Sequence, residues 1–274
     1  MKTALIYATC QGRMIYDVLY ASRQFSEQYI IVDHIHNYEL IRTQRSFLTY
    51  SDYFVKLKNA DLFIYQPLAE TYGENATDTL KTHMKPGSQA ISIPYLWNFS
   101  FWPMVVTSAP NISDNFRLVD TELIKNSSII KKLLVDGWTE SDILSAYDHG
   151  QIDFNYAERF RRNQNILRIK ERGTDVKAVD FIEQNYKTKK LFNDVSHPSY
   201  ELILHMGNQI LNKLGFDPVE TLDMDRCYMP TMRTPYDHSG KNAFNFEFPI
   251  DDNASEYFHN VIKKVVSQNQ HIII

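Results

Sequence analysis

Cys10 stands in the run Thr9-Cys10-Gln11-Gly12-Arg13, directly after the apolar stretch Thr3–Ala8 and before a helical pattern. A thiol at the carboxyl end of a strand lies where open α/β sheets bind their ligands. It also meets the positive end of the helix that follows, which favours a thiolate, and Arg13 adds to that field. Far along the chain, Asp194-Val195-Ser196-His197-Pro198 sets a carboxylate three residues before an imidazole, in a turn from which Pro198 opens a helix. Thiol, imidazole and carboxylate are the nucleophile, base and orienter of covalent acyl chemistry, so Cys10, His197 and Asp194 are the catalytic candidates. Each also has a plainer reading. Free cysteines act as small buried hydrophobes, and Asp194, Ser196 or His197 can simply cap a helix.

Hydrogen-bond donors gather near the same edge. Gln11 and Gly12 follow Cys10, and Gln66-Pro67 closes the third apolar run, so Gln11, Gly12 and Gln66 are candidates for holding an oxyanion or a substrate hydroxyl. One glycine is too few for a dinucleotide or phosphate loop. A second cluster is basic: RFRRNQNILRIKER carries Arg159, Arg161, Arg162, Arg168, Lys170 and Arg172 against Glu171 alone, in a chain of formal charge −4. At helical spacing Arg161, Arg168 and Arg172 share a face that suits a phosphate-rich ligand, with Arg13 a further contact for it. The alternative is a solvated face pairing with Asp153 and Glu158. His34 and His36 lie on one side of a strand, but the third ligand that zinc needs is missing, so no metal site is expected. Tyr95, Trp97, Phe99, Phe101 and Trp102 read as core or as a pocket wall for a ring. Tyr236-Asp237-His238 either contacts an acceptor or caps a turn.

The elements that must position these residues are those of an α/β fold. Thr3–Ala8, Tyr29–Ile35, Asp61–Tyr65 and Gln89–Ile93 are short apolar or β-branched runs with helical spacing between them, which predicts a mostly parallel, Rossmann- or SGNH-like sheet. From residue 116 to 190 the pattern is helical throughout (120–136, 139–147, 154–172, 175–186), so this stretch is expected to be a large helical insertion or subdomain, with 1–115 and 191–274 forming the sheet domain. Ile203, Met206, Ile210 and Leu214 form one face of a helix over 198–214, which is expected to pack on the sheet. Residues 216–252 read as loop, followed by a last helix over 255–267.

Composition narrows the classes. The 274 residues are 43% hydrophobic and 13% aromatic with Gly 9 and Pro 10, which excludes collagen-like and disordered chains. The acidic balance argues against a surface built for nucleic acid. The longest apolar stretch, Pro94–Val106, is broken by Asn98, Ser100 and Pro103 and is shorter than the roughly 20 residues of a membrane span. The short run at the N-terminus is no signal-peptide core, so a cytoplasmic protein is expected. Cys10 and Cys227 are too few for a disulfide framework.

A nucleophile placed early and a DxxH placed late follow the chain order of the SGNH hydrolases, which this sequence resembles with Cys10 where those carry serine. A further likeness covers residues 1–215. ATCQGR after the first strand, YQP after the third, SIPYLW after the fourth, the basic RIKERGTDVKAVDFI and then LFNDVSHPSYELI resemble, in that order, the WcbI-like polysaccharide biosynthesis proteins. That family has Gly-Asn before Cys-Gln, where Ala8-Thr9 stands here. The resemblance implies a coenzyme A-binding O-acetyltransferase that decorates capsular or related surface polysaccharides. Acetyl-CoA would be the co-substrate and a sugar or polysaccharide the acceptor. Cys10, Gln11 and His197 would then line the active site, with part of the Arg159–Arg172 helix at the coenzyme phosphates. Two other functions fit the same residues: an SGNH-like esterase or deacetylase with a cysteine nucleophile, and a non-catalytic nucleotide- or glycan-binding protein in which Cys10 is structural.

Overall fold

The computed structural model describes residues 1–103, 129–223 and 234–269. Four strands, β1 (Lys2–Ala8), β2 (Tyr29–His36), β3 (Leu62–Tyr65) and β4 (Gln89–Ser92), form one sheet in the order β2-β1-β3-β4, with every pairing parallel. All four lie within a residue of their expected ends. In β1 and β3, Ala4–Ala8 and Leu62–Ile64 are fully buried. Strands covered on both faces read as continuous apolar runs rather than alternating ones, which is why LIYA and LFIY stand out in the sequence.

Parallel neighbours need crossovers, and helices supply them. α1 (Gln11–Ala21) and α2 (Arg23–Gln28) connect β1 to β2; α3 (Asn37–Arg42) and α4 (Ser51–Asn59) connect β2 to β3; a 3-10 turn (Glu70–Asn75) and α5 (Thr77–Lys81) connect β3 to β4. Because the chain runs from β1 to β2 on one side and then crosses to β3 on the other, the strand order reverses between β1 and β3. Ligands of such sheets bind at that point, outside the carboxyl ends of the strands. One part of the core gathers Leu5, Tyr7, Phe47, Leu57, Phe63 and Leu80. Another is the buried face of α1, with Met14, Ile15, Val18 and Leu19.

The remaining helices are α6 (described over 129–135), α7 (Glu140–Asp148), α8 (Tyr156–Glu171), α9 (Val179–Asn185), α10 (Tyr200–Lys213), α11 (His238–Phe244) and α12 (Ala254–Gln268). Between 129 and 190 the described residues hold α6, α7, α8 and α9 with turns between them and no strand, while 116–128 lie outside them. The helix expected over 198–214 buries Ile203, Met206 and Ile210 and packs against α1. The stretch 216–252 departs from the loop expected: it holds α11, too short to show a period, whose start is fixed by Asp237 accepting from Gly240 N at 2.6 Å. Among the described residues no helix is long and apolar enough to cross a membrane.

The chain divides into two compact units. The first, with the sheet, comprises Met1–Leu96, Ile166–Asn185 and His197–Thr231; the second comprises Trp97–Asn165, Tyr186–Ser196 and Met232–Ile274. These bounds differ from the division at 116 and 190 read from the sequence, and hydrogen bonds at β4 give one reason. Asp175 accepts from Ser92 N at 2.8 Å and Ser92 Oγ at 2.7 Å, and the N–H groups of Asp175 and Val176 both donate to Ser92 O at 3.1 Å. The segment around Asp175 is thereby joined to the sheet. The second unit has an aromatic core in which Phe101 meets Phe160, Tyr186, Phe192, Tyr236, Phe244 and Phe246 with ring centroids 5.1–6.5 Å apart. In the same unit Trp102 Nε1 donates to Pro235 O at 2.9 Å, and the Tyr236 hydroxyl to Phe192 O at 2.9 Å.

Candidate active site

Cys10 occupies the N-cap of α1, where its side chain makes no capping hydrogen bond. The first turn closes through backbone instead: Gly12 N donates to Thr9 O at 2.9 Å and Arg13 N to Cys10 O at 3.0 Å. Cys10 Sγ lies 3.2 Å from His197 Nε2, across 187 positions of sequence. His197 leads into α10, so the approach of α1 to α10 sets this distance. Two features hold the helices together. Gly207 lets them close in, since a Cβ there would lie 2.4 Å from Val18 Cγ1. The Tyr200 hydroxyl donates to the buried Asp17 carboxylate at 2.7 Å, and Arg13 Nε sits 3.6 Å from Asp17 on its other side. Sequence reasoning passed over Asp17, Tyr200 and Gly207. Only the glycine left a signal, because glycine inside a helix costs about 0.5–1 kcal/mol relative to alanine and its presence asks for a reason.

The two glutamine side chains are tied to each other. Gln66 Oε1 accepts from Thr9 N at 2.8 Å, and Gln66 Nε2 donates to Gln11 Oε1 at 3.0 Å and Pro94 O at 3.5 Å. Gln11, fully buried, also accepts from Leu96 N at 3.1 Å and donates to Leu96 O at 2.7 Å. This pair links the ends of β1 and β3 to the segment after β4 and fixes the turn that carries Cys10. Gly12 has its own constraint: a Cβ would lie 2.6 Å from His34 Nε2. His34 Nε2–H donates to Thr9 O at 2.9 Å, which supports the same turn from β2. Burial first, and the neighbouring His36 second, push the His34 imidazole down to about 4, so the ring is neutral near pH 7.

The other candidates are placed as follows. Asp194, in the second unit, is buried, and its Oδ1 accepts from Ser196 N at 2.7 Å and Ser196 Oγ at 3.1 Å, an Asx turn that shapes the approach to His197. Arg13, besides its contact with Asp17, lies 4.5 Å over the Tyr16 ring. Arg159 Nε donates to Phe154 O at 2.6 Å. Arg161 pairs with Glu158 at 2.6 Å, and Arg168 with Asp180 at 3.0 Å and Glu183 at 2.6 Å. Arg162, on the same helix, and Arg172, just past its end, are exposed. Lys170 is half-buried, its ammonium pushed down by desolvation, 5.3 Å from the Tyr95 ring. Asp237 caps α11 and also accepts from the Tyr147 hydroxyl at 2.8 Å; burial pushes its carboxyl up.

No protein of curated description matches the sequence. The fold is similar to a solved structure of WcbI, described as a novel polysaccharide biosynthesis enzyme, the native protein without a disulfide bond between coenzyme A and a cysteine. The TM-score is 0.74 at 17% identity, over 99% of this chain and 92% of that one. A family model described as polysaccharide biosynthesis enzyme WcbI matches residues 3–219, a span that includes β1, Cys10, Gln66 and His197. The chain therefore belongs to the WcbI family of polysaccharide biosynthesis enzymes.

Proposed function

We propose that the protein transfers an acyl group, acetyl in the simplest case, from coenzyme A to a sugar hydroxyl during synthesis of a capsular or other surface polysaccharide. The observation that carries this reading is the Cys10–His197 pair at 3.2 Å, beside the switch point of a parallel sheet, in a family of polysaccharide biosynthesis enzymes. The solved WcbI is described by whether coenzyme A and a cysteine share a disulfide bond, and Cys10 is a free cysteine of this chain. Coenzyme A fits the reading as co-substrate.

His197 is the base in both routes that the pair allows. In the first, Cys10 gives its proton to His197 Nε2 and its sulfur attacks the acyl carbonyl. The acyl group moves to Cys10, and the coenzyme leaves as a thiol with that proton. His197 then takes the proton of the sugar hydroxyl as the hydroxyl oxygen attacks acyl-Cys10, and returns it to the departing sulfur. In the second route His197 takes the hydroxyl proton as the hydroxyl oxygen attacks the acyl carbonyl of the donor directly, the coenzyme leaves as a thiol with that proton, and Cys10 shapes the pocket. We assign oxyanion binding to the Gln11 backbone N–H in the first turn of α1, with Gln66 holding the Gln11 side chain; the Gly12 N–H, read from the sequence as a second donor, is taken by Thr9 O. Asp194 shapes the turn that precedes His197 by accepting from Ser196. Arg172, in the first unit, is assigned to the donor's phosphates; Arg13, Arg161 and Arg168 already meet carboxylates.

The test is incubation with acetyl-CoA and a panel of sugars, with thermal unfolding read in coenzyme A alone. Coenzyme at 100 times its Kd should stabilise the protein by about 2.7 kcal/mol, and acetyl sugar should form. Acetyl ester hydrolysis with no coenzyme stabilisation would replace the transferase with the esterase.

A further inference from the structure

A cavity of about 200 Å³ opens at the carboxyl end of β2, walled by His36, Glu39, Arg42, Arg45, Tyr50 and Tyr53, all in the first unit. Pockets that enclose a whole small ligand span about 300–1,000 Å³, so this one has room for a single small group. Arg13, Arg23, Arg161 and Arg168 each sit against a carboxylate, whereas Arg42 and Arg45 form no ion pair among the described residues. Arg45 instead donates to the Tyr50 hydroxyl and lies 5.6 Å over that ring. His36 Nδ1 is buried without a hydrogen-bond partner. The chain also strains to place Arg45: Gln44 adopts the left-handed region at φ 52°, and Arg45 N closes back onto Leu40 O at 2.9 Å.

We propose that this cavity is an anion site that seats a phosphate-monoester group of a ligand. Two unpaired guanidinium groups match phosphate oxygens in fork geometry, and His36 and the tyrosine hydroxyls offer further donors. Glu39 is the single carboxylate in the wall; it leaves a net positive lining and can accept from a hydroxyl carried beside the phosphate. In the β1–β2 register His36 stands opposite Ala8, two residues before Cys10, so the cavity opens at the same sheet edge as the Cys10–His197 pair. A phosphate held there belongs to a ligand of that edge. Only the choice of which ligand rests on the acyl-transfer reading.

Inorganic phosphate tests the site without activity. Titrated at fixed ionic strength and followed by calorimetry and by the His36 imidazole resonance, it should bind saturably to the wild-type protein. The double variant Arg42→Gln, Arg45→Gln should bind at least tenfold more weakly, while Arg23→Gln, which removes an exposed arginine paired with Glu27, should bind as wild type. Absence of saturable binding to the wild type, or equal binding by a folded double variant, overturns the proposal. Two further arms identify the source. If the double variant loses a preference for coenzyme A over 3′-dephospho-coenzyme A, the donor supplies the phosphate; if it loses a preference for a hexose phosphate over the free hexose, the acceptor does. Failure of acyl transfer would leave the phosphate result standing.

Discussion

The carboxyl edge of the sheet and the arginine-rich helix α8 use polar groups in opposite ways. At the sheet edge the polar side chains are few, buried or half-buried, and each has a defined partner: Gln66 with Gln11, Tyr200 with Asp17, His34 with Thr9, Cys10 with His197. On α8 the charges are many, Arg161 and Arg162 are exposed, and Arg161 and Arg168 meet carboxylates at the surface. Exposed ion pairs contribute about 0.2–1 kcal/mol, while a buried group left without its partner costs about 1–3 kcal/mol. The conspicuous cluster in the sequence is thus the weaker constraint, and the sparse one holds the geometry.

The largest stability effect should come from breaking the glutamine pair. Gln66→Leu strips Thr9 N of its side-chain acceptor and Gln11 Oε1 of one of its two donors at once and should cost about 2–5 kcal/mol in denaturant unfolding. A cost below about 1 kcal/mol would mean that the network does not fix the Cys10 turn. Next is Gly207→Ala. Its new Cβ would press on Val18 Cγ1, for an overpacking cost of about 1–3 kcal/mol and a matching fall in activity as α10 moves off α1. Adding Val18→Ala makes room and should restore part of both; no recovery in the double variant would show that the helix approach does not set the Cys10–His197 distance.

A pH titration of stability sharpens the comparison further. His34 titrates near 4 in the folded protein, below the ordinary value of about 6.5, so on acidification the unfolded chain takes up this proton first. Its contribution is complete above about pH 6.5 and is lost as the pH falls toward 4. Unfolding free energy measured across that window should fall less steeply in His34→Gln than in wild type, and parallel curves would remove His34 from the account. The smallest effect belongs to α8: Arg161→Ala with Arg168→Ala should change stability by no more than about 1 kcal/mol and coenzyme A affinity by less than about threefold. A loss of tenfold or more by calorimetry would give those two arginines a ligand after all.

The strands were legible because burial on both faces of a parallel sheet writes itself as uninterrupted apolar runs. Cys10 and His197 were legible from their positions after a strand and before a helix, and from the motifs shared with a family. Partner choice was not. Asp17 and Tyr200 are 183 residues apart and Gln11 and Gln66 are 55 apart, and neither pair leaves a period or a spacing in the chain. The unit boundary was hidden for a similar reason, since the bonds between Asp175 and Ser92 join a helical stretch to the sheet with no trace in composition. α11 escaped because seven residues carry no readable helical repeat, although Asp237 is a good cap.

His197, 3.2 Å from Cys10, is the base in the proposed acyl transfer, and this role orders everything else at the site. It is tested most directly by the rate at which folded His197→Ala forms acetyl sugar from acetyl-CoA and an acceptor used by the wild type. Loss of the base should slow that rate by about 100-fold or more, whether or not an acyl-Cys10 intermediate forms. A rate equal to wild type would contradict the account.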